Sequence, residues 1–144
     1  MWGIITKEVI KFKERYTSKN HSKFVLKYHL IFVCKYRKRL LSKFGDDIKQ
    51  IMYDISNKYD FVILEMETDK DHIHLLIESE PKLSVLQIVG VLKQQSTIKI
   101  WKSYDPYLSK CFWEENTFWT DGYFASTIGE VSSKTLENYI KNQG

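Results

Sequence analysis

Cysteine is scarce in this sequence, with only Cys34 and Cys111 among 144 residues. The two stand far apart and show neither a CxxC pair nor the Cys/His spacing of a zinc finger. The sequence therefore indicates neither a disulfide framework nor a structural zinc site. It predicts two buried, reduced thiols instead.

Long hydrophobic runs are also missing. No uninterrupted apolar stretch approaches the roughly 20 residues that a bilayer-spanning helix needs. The first apolar segment, within residues 1–7, is shorter than the hydrophobic region of a secretory signal, which runs to roughly 7 to 15 residues. We therefore expect a soluble protein that stays in the cytoplasm and has no membrane partner.

The composition allows one hydrophobic core. With 43% hydrophobic residues, a chain of this length can bury one good core but not two, because domains typically run about 100 to 200 residues. Residues 1–22 mix Lys, Glu, Ser and Asn with scattered apolar positions. We expect residues 1–22 to form an amino-terminal extension and residues 23–144 to form the domain.

Apolar and β-branched residues predict four strands. Phe24 to Tyr36 is expected to form the first strand, and residues 118–126 the last. Residues 61–68 and 72–78, joined by the polar turn 69–71, are expected to form a β-hairpin. No internal repeat or low-complexity tract competes with this interpretation.

Apolar residues three or four positions apart predict three helices among these strands. Each is expected to begin at a polar cap, namely Asp46 or Asp47, Ser84, and Ser132 or Ser133. The second helix is expected to end at Trp101, with residues 102–117 forming a loop around Pro106. The resulting order, β-α-β-β-α-β plus a terminal helix, is typical of the ferredoxin-like (RRM-like) α+β fold, an antiparallel sheet with two helices on one face.

A basic cluster follows the first predicted strand: Lys35, Tyr36, Arg37, Lys38 and Arg39. The net charge of +4 is only a weak indication of a polyanionic partner. Several cations around one aromatic ring can hold phosphates and stack a base. A solvated turn with ordinary charges explains the same residues equally well.

Two histidines stand two residues apart in the third predicted strand. Because side chains alternate along a strand, His72 and His74 project from the same face and can bind one metal ion. Ile73 between them is expected to point toward the helix-covered core. Taken alone, the pair is more often two exposed or hydrogen-bonded histidines.

The last predicted helix places Tyr139 and Gln143 on one side, because residues four apart on a helix are neighbours. A tyrosine on an amphipathic terminal helix is more often a packing residue than a nucleophile. A terminal glutamine is usually solvated. The helix alone therefore does not separate a structural role from a catalytic one.

Four sequence blocks occur together between residues 23 and 143. They are YHLIFVCKYR at 28–37, TDKDHIHLL at 68–76, WTDGYF followed by STIG at 119–129, and YIKNQ at 139–143. In this order they resemble the HUH single-tyrosine transposases of single-strand insertion sequences, the TnpA type. The resemblance to REP-associated tyrosine transposases is more distant.

The resemblance implies a DNA transposase that cuts and rejoins single-stranded DNA at insertion-sequence ends through a covalent 5′-phosphotyrosine intermediate. In that reading Tyr139 is the nucleophile, His72 and His74 are metal ligands, and Gln143 supplies a third ligand. Two imidazoles and an amide oxygen suit manganese, whereas magnesium would draw more of its shell from phosphate and water. A divalent Mg or Mn cofactor is therefore expected.

The resemblance also implies partners. Single-stranded DNA with subterminal hairpins is the expected substrate, and the basic cluster is the candidate for phosphate contact and stacking. A homodimer is expected, in which the tyrosine helix of one subunit can serve the histidine pair of the other. Gly129 lies where a flexible connection to that helix is needed.

An alternative from another class keeps the fold but not the chemistry. A non-catalytic module could bind single-stranded nucleic acid through aromatic and cationic residues on an RRM-like sheet. Such a module would bind without cleaving. It would also need no divalent ion, which distinguishes it from the transposase.

Overall fold

One antiparallel sheet and three α-helices make up the part of the chain that the structure, a computed structural model, describes: residues 25–127 and 133–143. The strands are β1 (Leu26–Val33), β2 (Phe61–Thr68), β3 (His72–Ser79) and β4 (Phe124–Thr127). The helices are α1 (Leu41–Lys58), α2 (Val85–Cys111) and α3 (Ser133–Lys141). The antiparallel strand order β2-β3-β1-β4 confirms the predicted ferredoxin-like α+β fold.

Some sequence predictions fall outside this part of the chain. The predicted extension at residues 1–22, the predicted connection at Gly129 and the predicted cap Ser132 lie outside the described residues. The hairpin is confirmed, because β2 and β3 pair over their length around the turn at 69–71. The first strand is shorter than predicted: β1 ends at Val33, and Lys35–Arg37 form a single 3-10 turn.

The sheet buries both of its faces along β1. Side chains alternate along a strand, so Leu30 and Phe32 enter the main core under α1 and α2, whereas Ile31 and Val33 point to the second face. Tyr139 of α3 packs on that second face. A strand buried on both sides is expected to be apolar without interruption, which accounts for the run at residues 30–33.

Helix α1 begins earlier than predicted. Its first residue is Leu41, and no side chain caps it, so the predicted cap at Asp46 or Asp47 is wrong. The Leu41 N–H donates to the Lys70 carbonyl at 2.9 Å, a partner supplied by the β2-β3 turn. Asp47 lies inside the helix and accepts a hydrogen bond from the Tyr104 hydroxyl at 2.8 Å.

Helix α2 begins as predicted and ends later than predicted. Ser84 caps it, and the Gln87 side chain accepts from the Ser84 N–H in return, which completes a capping box. The helix runs past Trp101 to Cys111, with a kink at Tyr104 (φ −135°, ψ 34°). Pro106 falls in the first turn after the kink, where its missing N–H costs little. Among the helices described, α2 included, none combines the length and apolar content needed to cross a membrane.

The two thiols differ in burial. Cys34 is buried, whereas Cys111, the last residue of α2, is only half-buried, so the prediction of two buried thiols is wrong for Cys111. Both are free of disulfides. Burial raises the pKa of the Cys34 thiol, which keeps it protonated and unreactive at neutral pH.

The fourth strand is much shorter than the predicted 118–126. Only Phe124–Thr127 pair regularly with β1, while Trp119 forms one isolated bridge with Cys34. Lys93 of α2 explains the irregular stretch between them. Its ammonium donates to three successive backbone carbonyls, those of Thr120 (2.6 Å), Asp121 (3.0 Å) and Gly122 (2.9 Å). These carbonyls turn toward the lysine and are lost to the sheet ladder.

Candidate metal and nucleophile site

The two histidines of β3 lie side by side on the second face of the sheet. His72 and His74 have ring centroids 5.0 Å apart, and each residue is 9% exposed. Ile73 between them is fully buried in the main core on the opposite face. The alternation of the strand therefore brings the two imidazoles together as predicted.

Asp71 orients the first imidazole. One carboxylate oxygen of Asp71 lies 2.8 Å from Nδ1 of His72, and the other accepts from Nε of Arg37 at 3.2 Å. Burial alone would raise the pKa of Asp71, but the hydrogen bonds from His72 and Arg37 outweigh it and lower that pKa. A carboxylate that holds the Nδ1 proton leaves the lone pair of His72 on Nε2, the arrangement found in metal-ligating histidines.

His74 is held in its neutral form. Burial lowers its pKa to about 4, helped by the nearby His72 and His29 and opposed by Asp69. A neutral imidazole keeps a lone pair at physiological pH and is the form that binds metals. His74 therefore has the electronic state that a metal ligand needs.

A cleft of about 250 Å³ opens beside the pair, lined by Glu67, Thr68, Asp69, His72 and His74. Within residues 25–127 and 133–143, no three His, Cys, Asp or Glu side chains group closely enough to form a metal site by themselves. Two imidazoles facing a polar cleft fit a divalent cation that takes its other ligands from amide, phosphate or water oxygens. Such a site would keep coordination positions open.

Helix α3 covers the strand next to the histidines. Tyr139 and Ile140 pack on Ile31 and Val33 of β1. Ile31 is the cross-strand partner of His74, and Val33 that of His72. The tyrosine helix and the histidine pair therefore share one face of the sheet within a single subunit.

The Tyr139 hydroxyl lies beside Thr120 and Gly122, on the β4 side of β1. It is shielded from solvent and makes no hydrogen bond of good geometry to any described residue. A Cβ added at Gly122 would lie 3.7 Å from the hydroxyl oxygen. The Thr120 N–H donates to the Val33 carbonyl on the side of β1 away from β3, so two strand spacings, roughly 10 Å, separate the backbone of Thr120 from that of His72.

The electrostatics of Tyr139 match a resting position. Burial raises the pKa of its phenol, and the neighbouring Thr120 hydroxyl acts in the opposite direction without cancelling the effect. A buried phenol with a raised pKa is a poor nucleophile. Gln143 is half-buried and follows the end of α3, where its N–H donates to the Ile140 carbonyl at 3.1 Å. Its role as a metal ligand stays a prediction.

The basic cluster is partly tied into the protein. Lys35 pairs with Asp121 at 3.4 Å, and the Tyr36 hydroxyl donates to Glu115 at 2.8 Å. The Nζ of Lys38 lies 5.7 Å from the centroid of the Phe112 ring, and Arg37 contacts Asp71. Arg39 is exposed. Tyr36 is nevertheless 56% exposed. Contact of the cluster with DNA stays a prediction.

Two residues near the site were not predicted from sequence. Thr120 neighbours the phenol, and Lys93 holds the backbone around Thr120. Lys93 could have been found, because it stands four residues after the buried Val89 on the apolar side of α2. A lysine within an apolar repeat needs acceptors close by, since a buried cation without them is costly.

Residues 22–143 match the sequence profile of the family described as Transposase IS200 like. This chain belongs to that family. The assignment confirms the predicted resemblance to the single-tyrosine transposases of insertion sequences. As a member, the chain is a transposase that acts in the transposition of single-stranded DNA.

Two relatives of this IS200-like transposase illustrate the match. The transposase for insertion sequence element IS200 of Salmonella typhimurium is 32% identical over 126 residues, which cover 85% of this chain and 80% of that protein. The ISDra2 transposase TnpA of Deinococcus radiodurans is 32% identical over 119 residues, covering 82% of this chain and 84% of the relative. The similarity therefore extends over most of each chain.

Solved structures share the fold. A putative transposase from Deinococcus radiodurans aligns with a TM-score of 0.77 at 28% identity, over 86% of this chain and 95% of the other. A REP-associated tyrosine transposase bound to a REP hairpin aligns with a TM-score of 0.54 at 11% identity, over 84% of this chain and 66% of the other. The second likeness supports the fold alone.

Proposed function

We propose that this IS200-like transposase cuts and rejoins single-stranded DNA at insertion-sequence ends through a covalent 5′-phosphotyrosine intermediate. Tyr139 is the nucleophile, and His72, His74 and Gln143 hold a Mg or Mn ion. The observation that carries this proposal is the pair of adjacent imidazoles, with His72 held by Asp71, on the face that the tyrosine helix covers.

The protein side of the chemistry falls to a few groups. When bound, the ion supplies Lewis-acid stabilisation of the charge that develops on the phosphoryl oxygens. Asp71 keeps the His72 ring in one orientation, and burial keeps His74 neutral. The cleft at Glu67–Asp69 leaves space beside the pair for the scissile phosphate.

The covalent step conserves the phosphodiester bond. The Tyr139 oxygen bonds to phosphorus, the bond from phosphorus to the 3′ oxygen breaks, and the phenolic proton ends on the released 3′ hydroxyl. Attack by another 3′ hydroxyl reverses the step and rejoins the strands. Hydrolysis by water would forfeit this reversibility.

The resting position of Tyr139 requires α3 to move before attack. The phenol is buried beside Thr120, across β1 from the histidines. A shift of α3 toward the histidine pair of its own subunit, or of a partner in a homodimer, would bring the phenol to the phosphate. A homodimer with shared active sites is part of the proposal, and a shift of α3 toward the partner is one way to form them.

The family and the basic surface support a substrate for this proposal. Single-stranded DNA with subterminal hairpins is the proposed partner, contacted by the basic cluster through phosphate and by the exposed Tyr36 through stacking. The REP hairpin bound by a related fold is a similar kind of ligand.

The proposal is tested by trapping the adduct. Purified protein, Mn²⁺ and single-stranded element-end DNA should give a protein-DNA species that survives detergent, and duplex DNA or EDTA should give none. Tyr139→Phe should lose the adduct and still bind the hairpin. Tyr59→Phe, which removes a hydroxyl from an exposed tyrosine elsewhere, is the matched control and should keep it. An undiminished adduct in Tyr139→Phe would rule out this nucleophile.

The non-catalytic alternative has less support. An RRM-like module binds nucleic acid on an open sheet face, but α3 packs on Ile31 and Val33 at that face. In the same gel, hairpin binding that ignores EDTA, with no adduct under any condition, would favour the alternative.

A further inference from the structure

The guanidinium of Arg37 contacts two different parts of the site. Its Nε donates to Asp71 at 3.2 Å, and its Nη1 donates to the backbone carbonyl of Lys141, near the end of α3, at 3.5 Å. The other oxygen of Asp71 holds Nδ1 of His72 at 2.8 Å. An unbroken series of three contacts therefore joins the end of the tyrosine helix to a histidine of the candidate metal pair.

The backbone aims Arg37 at these partners. Tyr36 and Arg37 both adopt left-handed conformations, with φ of 59° and 52°, which side-chain-bearing residues rarely adopt. The turn is held by the Arg37 N–H on the Cys34 carbonyl at 2.8 Å, and Cys34 itself donates to the Asp71 carbonyl at 2.8 Å. The strained turn and Asp71 are therefore one hydrogen-bonded unit. Strain of this kind persists where the surrounding structure requires it.

Arginine suits this place better than lysine. Its planar fork can address two acceptors at once, whereas an ammonium is a single point charge. The Lys141 carbonyl lies at the carboxyl end of α3, where unpaired carbonyls and the helix dipole attract a cation. The contact with Asp71 is an ion pair with a largely buried carboxylate. Arg37 therefore interacts favourably with both groups only while α3 is docked.

We propose that Arg37 is a positioning residue that couples docking of α3 to the orientation of His72. With α3 in place, the guanidinium is held on both sides and keeps Asp71 on His72. When α3 moves away, Arg37 loses one acceptor and the Asp71–His72 pair loosens. Insofar as His72 is a metal ligand, the inference rests on the proposed function. It gives Arg37 an internal role distinct from the phosphate contact predicted for the basic cluster.

The test measures metal binding and helix docking without DNA. Mn²⁺ affinity is measured by titration of the full chain followed by electron paramagnetic resonance, and α3 docking by amide hydrogen exchange of peptides within 133–143. Arg37→Ala should weaken Mn²⁺ binding about 10-fold, the lower end for loss of a group that orients a ligand. It should also speed exchange in α3. Arg39→Ala removes the same charge from an exposed neighbour and should change neither.

A double-mutant cycle tests whether Arg37 acts on Mn²⁺ binding through Asp71. Asp71→Asn should weaken Mn²⁺ binding by itself, and Arg37→Ala should add little in that background, because Arg37 acts through Asp71. Gln143→Ala removes the direct link between α3 and an ion. In that background Arg37→Ala should still weaken Mn²⁺ binding.

Several results would overturn the coupling. One is that Arg37→Ala and Arg39→Ala have equal Mn²⁺ affinity or equal hydrogen exchange in α3. Another is that the effects of Arg37→Ala and Asp71→Asn on Mn²⁺ affinity are additive. A third is that the wild-type chain does not bind Mn²⁺. If Arg37→Ala does not fold, as judged by circular dichroism, Arg37→Lys carries the test. That variant keeps the charge, loses the fork and should show both effects. Failure of the adduct assay with the coupling intact would instead reject the proposed nucleophile.

Discussion

Val33 pairs with His72 across β1 and β3, and the same Val33 supports Tyr139 on the second face of the sheet. One apolar residue thus separates the candidate metal ligand from the candidate nucleophile. Because Val33 is fully buried in this arrangement, the tyrosine helix and the histidine pair are held by the same patch of sheet.

The Tyr139 hydroxyl should add nothing to stability. It is buried without a well-formed hydrogen bond to a described residue, and such a group is costly to desolvate. The free energy of unfolding of Tyr139→Phe, measured in urea, should lie within about 0.5 kcal/mol of wild type or above it. A loss of several times that amount would mean that the hydroxyl has a partner, and the adduct test would then need a milder variant.

His74 should make the metal-free protein sensitive to mild acid. Its folded pKa is lowered to about 4 from the ordinary 6.5, chiefly by burial. Between these values the unfolded chain takes up a proton that the folded chain refuses, so stability falls as pH falls through this window. The free energy of unfolding should drop by up to about 3 kcal/mol between the two values.

The measurement for His74 is a difference. Urea unfolding in EDTA at a series of pH values is compared between wild type and His74→Asn, so that the contributions of other titrating groups cancel. The difference curve should slope between pH 6.5 and 4 and be flat above pH 7. A flat curve throughout would mean that His74 titrates normally in the fold.

Lys93 should stabilise the stretch that touches Tyr139. Lys93→Met leaves three carbonyls, at residues 120–122, without their ammonium donor, which should lower the free energy of unfolding by about 1 to 2 kcal/mol. Tryptophan fluorescence should also change, because Trp119 adjoins this stretch. Lys102→Met, an exposed lysine of the same helix, is the control. Equal stability of the two variants would contradict a stabilising role for the Lys93 hydrogen bonds.

Two helical glycines should respond differently to alanine. Gly90 of α2 has no atom within 4 Å of an added Cβ, so Gly90→Ala should stabilise by about 0.5 to 1 kcal/mol through helix propensity. At Gly45 of α1 an added Cβ would come within 2.9 Å of the Thr68 hydroxyl. Gly45→Ala should therefore gain less or lose stability in urea unfolding. If the two variants gained equally, the close approach of α1 to β2 would be wrong.

Regular patterns in the sequence were enough for the order of elements and for the histidine pair. Alternation along a strand places His72 and His74 on one face whatever the rest of the chain does, and the Ser84 cap needs only Gln87 three residues later. Predictions failed where a distant group supplied the partner. The α1 start depends on the Lys70 carbonyl, and the short β4 depends on Lys93.

The sequence by itself was thus enough to predict the fold class, the family resemblance and the pairing of two imidazoles, because the patterns behind them join residues a few positions apart. The tertiary structure decided that Asp71 holds His72, that Arg37 reaches both Asp71 and α3, and that the Tyr139 hydroxyl rests beside Thr120. These contacts join residues from 1 to more than 100 positions apart. Asp71 and His72 are adjacent, but the other contacts depend on how the sheet, turn and helix pack together, which no local pattern encodes.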